Sequence, residues 1–304
     1  MKRGLARELA RSLFVLSATF CILPAVARAQ IYITFPTPNT AGKFNFDGST
    51  ISNPFISGLN GDLGIALNGN NLYISNVGSD RISLYDATTG AATNASFITG
   101  LSDPIGMAFS GGNIYVANSL TGTVGVYNAT TGVVVSATLI TGLSGPFGLA
   151  ILGNNLYVSN SNGTTVGEYN ATTGAVMNAS FVSGLGLPAG LAILGNTLYV
   201  VDGSASGFVT AYNATTGAAI GGFSLTGLNT PRSIAALGNS LYVTDVSNNR
   251  VGEYNATTGA VINATLISAT SPYAIAVPEP SACAIFALGA GVLAAAQRLR
   301  RRAQ

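Results

Sequence analysis

Residues 156–174 read LYVSNSNGTTVGEYNATTG. The last six letters recur: YNATTG ends at Gly132, Gly174, Gly217 and Gly259, and a fifth copy, YDATTG, ends at Gly90. The copies are spaced by 42, 42, 43 and 42 residues. A fixed period in this range marks repeated supersecondary units, each of which needs its neighbours to bury its apolar face.

Around the motif, one unit reads LPAGLAILGNTLYVVDGSASGFVTAYNATTGAAIGGFSLTG (residues 187–227). Four short apolar or alternating segments lie between turn signals, the pattern of four β-strands. The first-strand type carries Ala66, Ala108, Ala150, Ala192, Ala235 and Ala276, and the second-strand type carries Tyr32, Tyr73, Tyr115, Tyr157, Tyr199 and Tyr242. Four strands in a period of about 40–45 residues is the blade of a β-propeller. Each type occurs six times between Gln30 and Val277, so the expected fold is an all-β, six-bladed propeller of four-stranded blades. The body starts on a second strand (IYITF) and stops after a first strand (SPYAIAV). One blade must therefore combine both ends of the chain, which removes two open sheet edges.

YNATTG then falls between the third and fourth strands, where the chain reverses. Asn or Asp bonds its side chain to backbone two residues on, and the closing Gly takes a positive φ without steric cost. Asn128, Asn170, Asn213 and Asn255 in the turns, and Asn94, Asn178 and Asn263 in the fourth strands, also form Asn-Ala-Thr/Ser sequons. Glycan attachment is the alternative reading of these asparagines. Asp86 keeps the turn chemistry and breaks the sequon.

Only 8% of the 304 residues are charged, and there is no His and no Trp. The net charge of +2 hides a regional split: the basic surplus sits in residues 1–29 and 278–304. The body carries only Lys43, Arg81, Arg232 and Arg250 against nine acidic residues. Nucleic acid is excluded as a partner, because neutralising phosphates takes clustered Lys and Arg. Both cysteines, Cys21 and Cys283, lie outside the body, which therefore has no disulfide, thiolate nucleophile or Cys-based metal site.

The ends read as addresses. Residues 1–29 have a basic start, an apolar run and small residues Ala27 and Ala29 framing a cut before Gln30, the form of a secretory signal peptide and its helix. At the other end, Ser281–Gln297 is seventeen uncharged residues followed by an arginine cluster at 298–302. As a helix this run would span about 25 Å, marginal against a hydrocarbon core of about 30 Å. The arginines would be held on the cytoplasmic side, leaving the body outside.

The order Pro278-Glu279-Pro280, short apolar helix, arginine cluster (278–304) resembles the PEP-CTERM sorting signal of Gram-negative bacteria. The resemblance implies handling by the export machinery and an exosortase, transient anchoring in the inner membrane, and final residence at the cell surface or in the extracellular matrix. Within 30–277, DVSNNRVGEYN and NVGSDRISLYD resemble the centre of NHL repeats, while LYVSN and LYVTD resemble YVTN repeats. These resemblances imply the propeller fold and leave the ligand open, because function does not follow from such a fold.

Candidate chemistry falls on the face opposite the YNATTG turns, where the loops vary from unit to unit. Second-strand exits place Asn76, Asn118, Asn160, Asp202 and Asp245 there, and Arg232 and Tyr273 break the pattern of residues following the first-strand prolines. Asp62, Asp202 and Asp245 are the weak candidates for a hard-cation site, against the reading that each Asn or Asp bonds its own loop backbone. No cofactor is implied. Two function classes stay open: a non-catalytic binding propeller for extracellular polysaccharide or another surface protein, and a metal-dependent lactonase or hydrolase of the gluconolactonase-like type. The absence of His and body Cys disfavours the second by removing the commonest general base and a thiol nucleophile.

Overall fold

The computed structural model describes residues 30–278, with the side chains of Asp62 and Leu63 excepted. The expected signal peptide and sorting tail, including Ala29, Glu279 and Pro280, lie outside the described residues. No helix among the described residues is long and apolar enough to cross a membrane.

Six antiparallel sheets are arranged as the blades of a propeller. The first blade joins Gln30–Phe35, Thr40–Asn45 and Thr50–Ser57 to the two-residue strand Ile275–Ala276. Tyr32 lies opposite Ala276 and Ile33 opposite Ile275, so both ends of the body meet in one sheet as the strand phase requires. Two further backbone bonds, Thr34 N to Ala274 O at 3.0 Å and Tyr273 N to Thr34 O at 2.9 Å, extend this closure. In the other blades the strands follow chain order from the inside outwards.

The fifth blade differs at its rim. Pro188–Leu194, Thr197–Asp202 and Phe208–Asn213 pair normally, but the fourth segment makes only two isolated bridges, Val209 to Leu225 and Tyr212 to Ala219. Gly221 and Gly222 lie between those bridges, and Gly222 has φ +83°. Two adjacent glycines weaken a strand through lost entropy and lost side-chain packing.

The core is divided among the interfaces between blades. Leu72 and Ile74 of the second blade pack on Ala41 and Ile56 of the first, and Ile114 and Val116 of the third pack on Ile82 and Ile98 of the second. Each fully buried Leu or Ile contributes about 1.5–3 kcal/mol.

The repeated turn is the joint between neighbours. Within it, Asn128 Oδ1 accepts from Thr130 N at 3.0 Å and Thr131 N at 2.9 Å. This leaves the Ala129 carbonyl free to face the preceding blade, where the Tyr73 hydroxyl donates to it at 2.7 Å. The same bond joins Tyr32 to Ala87 O (2.8 Å), Tyr115 to Ala171 O (2.9 Å), Tyr199 to Ala256 O (2.7 Å) and Tyr157 to Ala214 O. The turn glycine also abuts the preceding blade: a Cβ on Gly132, at φ +72°, would stand 2.2 Å from Phe97 O. Phe97, Phe181 and Phe223 then pack on Tyr73, Tyr157 and Tyr199 with centroids 5.2–5.6 Å apart, within the range of favourable aromatic pairs.

The sixth joint departs from the rule, because the first blade has FDGS (residues 46–49) where the others have the repeated turn. There Tyr242 packs on Phe46 at 5.4 Å, and its hydroxyl lies 3.4 Å from Glu253 Oε1. The first joint has an addition. Lys43, buried, donates to Ala87 O at 2.9 Å and Thr88 O at 3.0 Å while lying over the Phe55 ring at 4.7 Å.

Tyr115→Phe should leave the Ala171 carbonyl unpaired and lower stability by about 1–3 kcal/mol in urea unfolding. The joints also set an alkaline limit. Burial, with the charge of Asp86 or Glu253 adding to it, pushes the Tyr32 and Tyr242 phenols from 10.0 up to about 12. Burial raises Tyr73, Tyr115, Tyr157 and Tyr199 as well. Between about pH 10 and 12 the unfolded chain releases phenolic protons that the folded chain keeps, so stability falls as pH rises. The tyrosine contribution should be fully present below about pH 10 and be lost through about pH 12. A urea midpoint indifferent to pH across that window would contradict this.

Candidate binding face at the channel mouth

First strands run from the variable-loop face towards the YNATTG face, lining the central channel. They pack closely enough that backbone meets backbone. A Cβ on Gly64 would stand 1.9 Å from Ile105 O, one on Gly106 1.9 Å from Phe147 O, and one on Gly148 2.4 Å from Ala189 O. Second-strand hydroxyls stitch the same seam: Ser159 Oγ accepts from Gly148 N at 2.7 Å and donates to Ala189 O at 2.6 Å. Thr244 Oγ1 likewise accepts from Ser233 N at 2.9 Å and donates to Tyr273 O at 2.9 Å.

Tight packing at the inner rim determines what reaches the channel mouth. Phe147 of the fourth blade and Tyr273 of the first, which stand on opposite sides of the ring, have centroids 6.4 Å apart. Arg232, from the sixth blade, lies 6.0 Å from the Tyr273 ring. Beneath this group is a cavity of about 100 Å³ lined by Gly64, Gly106, Gly148, Gly190, Leu191 and Ile234, among others. Burial pushes the Tyr273 phenol up, while Arg232 pulls it down and Asp103 adds to the rise. The Asp103 carboxyl is itself raised, by burial first and then by Asp80. The mouth thus brings the Tyr273 ring beside the Arg232 cation and within electrostatic reach of the Asp103 carboxylate.

The ring of second-strand exits is placed differently. Asn76, Asn118, Asn160, Asp202 and Asp245 are all buried. Asn76 Oδ1 accepts from Asn60 N at 3.2 Å, Asn118 Oδ1 from Ser102 N at 3.2 Å and Asn160 Oδ1 from Ser144 N at 3.3 Å. Asp202 accepts from Gly186 N at 2.6 Å and Ser204 N at 3.1 Å. Asp245 accepts from Asn229 N at 2.7 Å and pairs with Arg250 Nε at 2.8 Å. Each fastens the loop that enters its own blade to the end of that blade's second strand, sixteen residues away in all five cases. Asp62 opens its strand opposite Asn76, and its side chain lies outside the described residues.

A second clasp on this face uses left-handed backbone. Asn39, Asp80 and Asn249 have φ of +63°, +48° and +54°. Their carboxamide or carboxylate oxygens accept from Gly61 N at 3.1 Å, Asp103 N at 2.9 Å and Ser271 N at 2.9 Å. Asp80 and Asp103 are functional-face residues that the sequence pattern does not single out. Asp80 stands where other blades carry Asn39, Gly122, Thr164, Gly207 and Asn249, and Asp103 where they carry Gly61, Gly145, Leu187, Thr230 and Ser271.

Among the described residues no three His, Cys, Asp or Glu side chains group closely enough to hold a metal ion. Glu168 and Glu253 lie on third strands, where their carboxylates accept from Asn155 Nδ2 and Ser240 Oγ, both at 2.7 Å.

The sequence matches no protein-family model and no curated protein. Among solved structures, a chain in the crystal structure of a nidogen/laminin complex is similar with a TM-score of 0.67 and 18% identity. The match covers 82% of this chain and 98% of that one. A computationally designed protein, Ika8, matches with a TM-score of 0.49 and 16% identity over 78% of this chain and 74% of its own. The first likeness shows a common fold, and this chain is a β-propeller repeat protein.

Gly106→Ala should press a methyl group into the Phe147 carbonyl and cost about 1–3 kcal/mol, the range for overpacked sites. Gly221→Ala, with no atom within 4 Å of the added carbon, should change stability by less than about 0.5 kcal/mol. Thermal unfolding of the two variants side by side checks the pair.

Proposed function

We propose that the chain is an exported, surface-sorted binding propeller that engages an extracellular polysaccharide or another surface protein through its variable-loop face, without catalysis. One observation carries the reading. The Asn and Asp ring is committed to loop backbone, whereas Arg232, Tyr273 and Phe147 meet at the channel mouth on a rigid rim. Tyr and Arg are the residue types most enriched at binding hot spots. An aromatic ring beside a cation suits the apolar face and hydroxyl groups of a sugar ring, or a side chain of a protein partner.

The address rests on the ends of the sequence. A signal peptide cut before Gln30 delivers the body across the inner membrane. The Pro278-Glu279-Pro280 element, apolar run and arginine cluster hold it there until an exosortase releases it to the surface. The nidogen/laminin neighbour, a propeller-like chain solved in a protein complex, is in keeping with a binding role. The lactonase reading requires Asp62, Asp202 and Asp245 to converge on one cation. The bonds that Asp202 and Asp245 make to their own loops speak against that convergence.

A screen of purified body against glycans and surface proteins, followed by Arg232→Ala and Tyr273→Ala, tests the assignment. Each variant should weaken binding about tenfold or more, equivalent to ~1.4 kcal/mol. Arg232→Ala should keep its melting temperature, whereas Tyr273→Ala also loses the packing of its ring on Phe147 and should melt lower. Asn170→Ala, in a turn, should instead lower stability by about 0.5–2 kcal/mol and leave affinity intact. The opposite pattern would place the functional face on the wrong side. Intact-mass measurement of native protein should find a chain starting near Gln30 and ending near Pro278.

A further inference from the structure

The large apolar side chains exposed at the surface are unevenly placed. Residues 133–135 are Val-Val-Val, 176–177 Val-Met and 261–262 Val-Ile, and all seven side chains are more than half exposed, Val134 at 54% and Met177 at 53%. Ile51 and Ile220 are exposed as well. Every one of these follows a third-to-fourth-strand turn, and so sits on the rim of the YNATTG face. Among the described residues the opposite face contributes Leu120 alone to this group, in the loop between Asn113–Asn118 and Thr123–Asn128. Soluble surfaces scatter single apolar residues, whereas a collected set marks an interaction surface.

The same face releases the chain towards its C-terminus. Val277 and Pro278 help to line a chamber of about 440 Å³ at that end of the channel, near the axis. Only Glu279 and Pro280 separate them from the uncharged run Ser281–Gln297. Two residues reach about 7 Å when fully extended. A tail held in a bilayer therefore keeps the rim beside the headgroups, with no room for an intervening domain.

From these two observations we infer that the apolar rim of the YNATTG face is a lipid-contact surface, with Val134, Met177 and Ile262 resting in the headgroup region of the membrane that holds the tail. The inference rests on the reading of residues 281–297 as a membrane segment. It adds a second point of attachment, which fixes the tilt of the propeller and turns Arg232 and Tyr273 away from the lipid. The fit is to uncharged lipid: the rim charges nearby, Asp47 and Asp86, are anionic and would not be drawn to an acidic bilayer.

The test uses the chain from Gln30 to Gln304, without the signal peptide, and with Cys283→Ser, reconstituted in phosphatidylcholine vesicles. Single cysteines at Val134, Met177, Ile262 and, as the control, Leu120 carry an environment-sensitive fluorophore. Flotation with the vesicles reports tail insertion separately from rim contact. Expected are a blue shift at the three rim sites and quenching there by headgroup spin-labelled lipid, with Leu120 unaffected. Flotation with rim labels as wet as the Leu120 label would overturn the lipid contact while leaving the tail reading intact. Failure to float would overturn both. Cross-linking between Met177→Cys chains, increasing with the number of chains per vesicle and without lipid quenching, would assign the rim to a second copy instead. Circular dichroism of each labelled variant confirms that it is folded.

Discussion

A tyrosine hydroxyl reaching the carbonyl of an alanine some 55–57 residues further along the chain is the contact on which the ring depends. It answers a problem that apolar packing leaves open. Valine and isoleucine between two sheets favour contact but tolerate sliding, whereas a directional bond to one carbonyl sets both the height and the angle of neighbouring blades. That bond requires a turn whose own polar groups are satisfied internally, so that the alanine carbonyl stays free. The turn Asn or Asp and the following Thr residues meet this requirement, and the turn Gly lets the reversal press against the blade behind it. Selection for the joint, repeated at every interface that uses it, accounts for the near-identity of the six letters.

The periodicity made the fold legible, because the blade is local and its spacing survives in a single sequence. The closure was legible for the same reason, since strand phase at Tyr32 and Ile275 admits one arrangement. Three features were hidden. The hydroxyl bonds join residues more than fifty positions apart, and the repeated tyrosine looks the same whether it caps, packs or donates. The broken rim of the fifth blade hung on Gly221 and Gly222, two letters in a segment whose apolar pattern otherwise matched its siblings. Lys43 was read only as a charge, because nothing local places its ammonium on the carbonyls of the next blade.

The candidate site was legible by residue and much less by role. Asn76, Asn118, Asn160, Asp202 and Asp245 stand where the pattern put them, at the exits of second strands, but their oxygens face inward to loop backbone. Sameness from blade to blade was the clue, since a joint is repeated and a ligand is met at one place. Arg232 and Tyr273 stood out by breaking a pattern. What the sequence could not supply was Phe147 arriving from across the channel, a proximity created by ring closure alone.

The two-residue strand Ile275–Ala276 has a mechanical consequence. It is at once the seam of the ring and the last strand of the described body. A pull on the chain beyond Pro278 acts along the strand, so the bonds to Tyr32 and Ile33 are loaded in shear and must yield together. Peeling, in which bonds fail one after another under small force, is not available in that direction. The propeller is thus closed in the geometry that best resists a pull on its C-terminal end, although the fastening is a strand of only two residues.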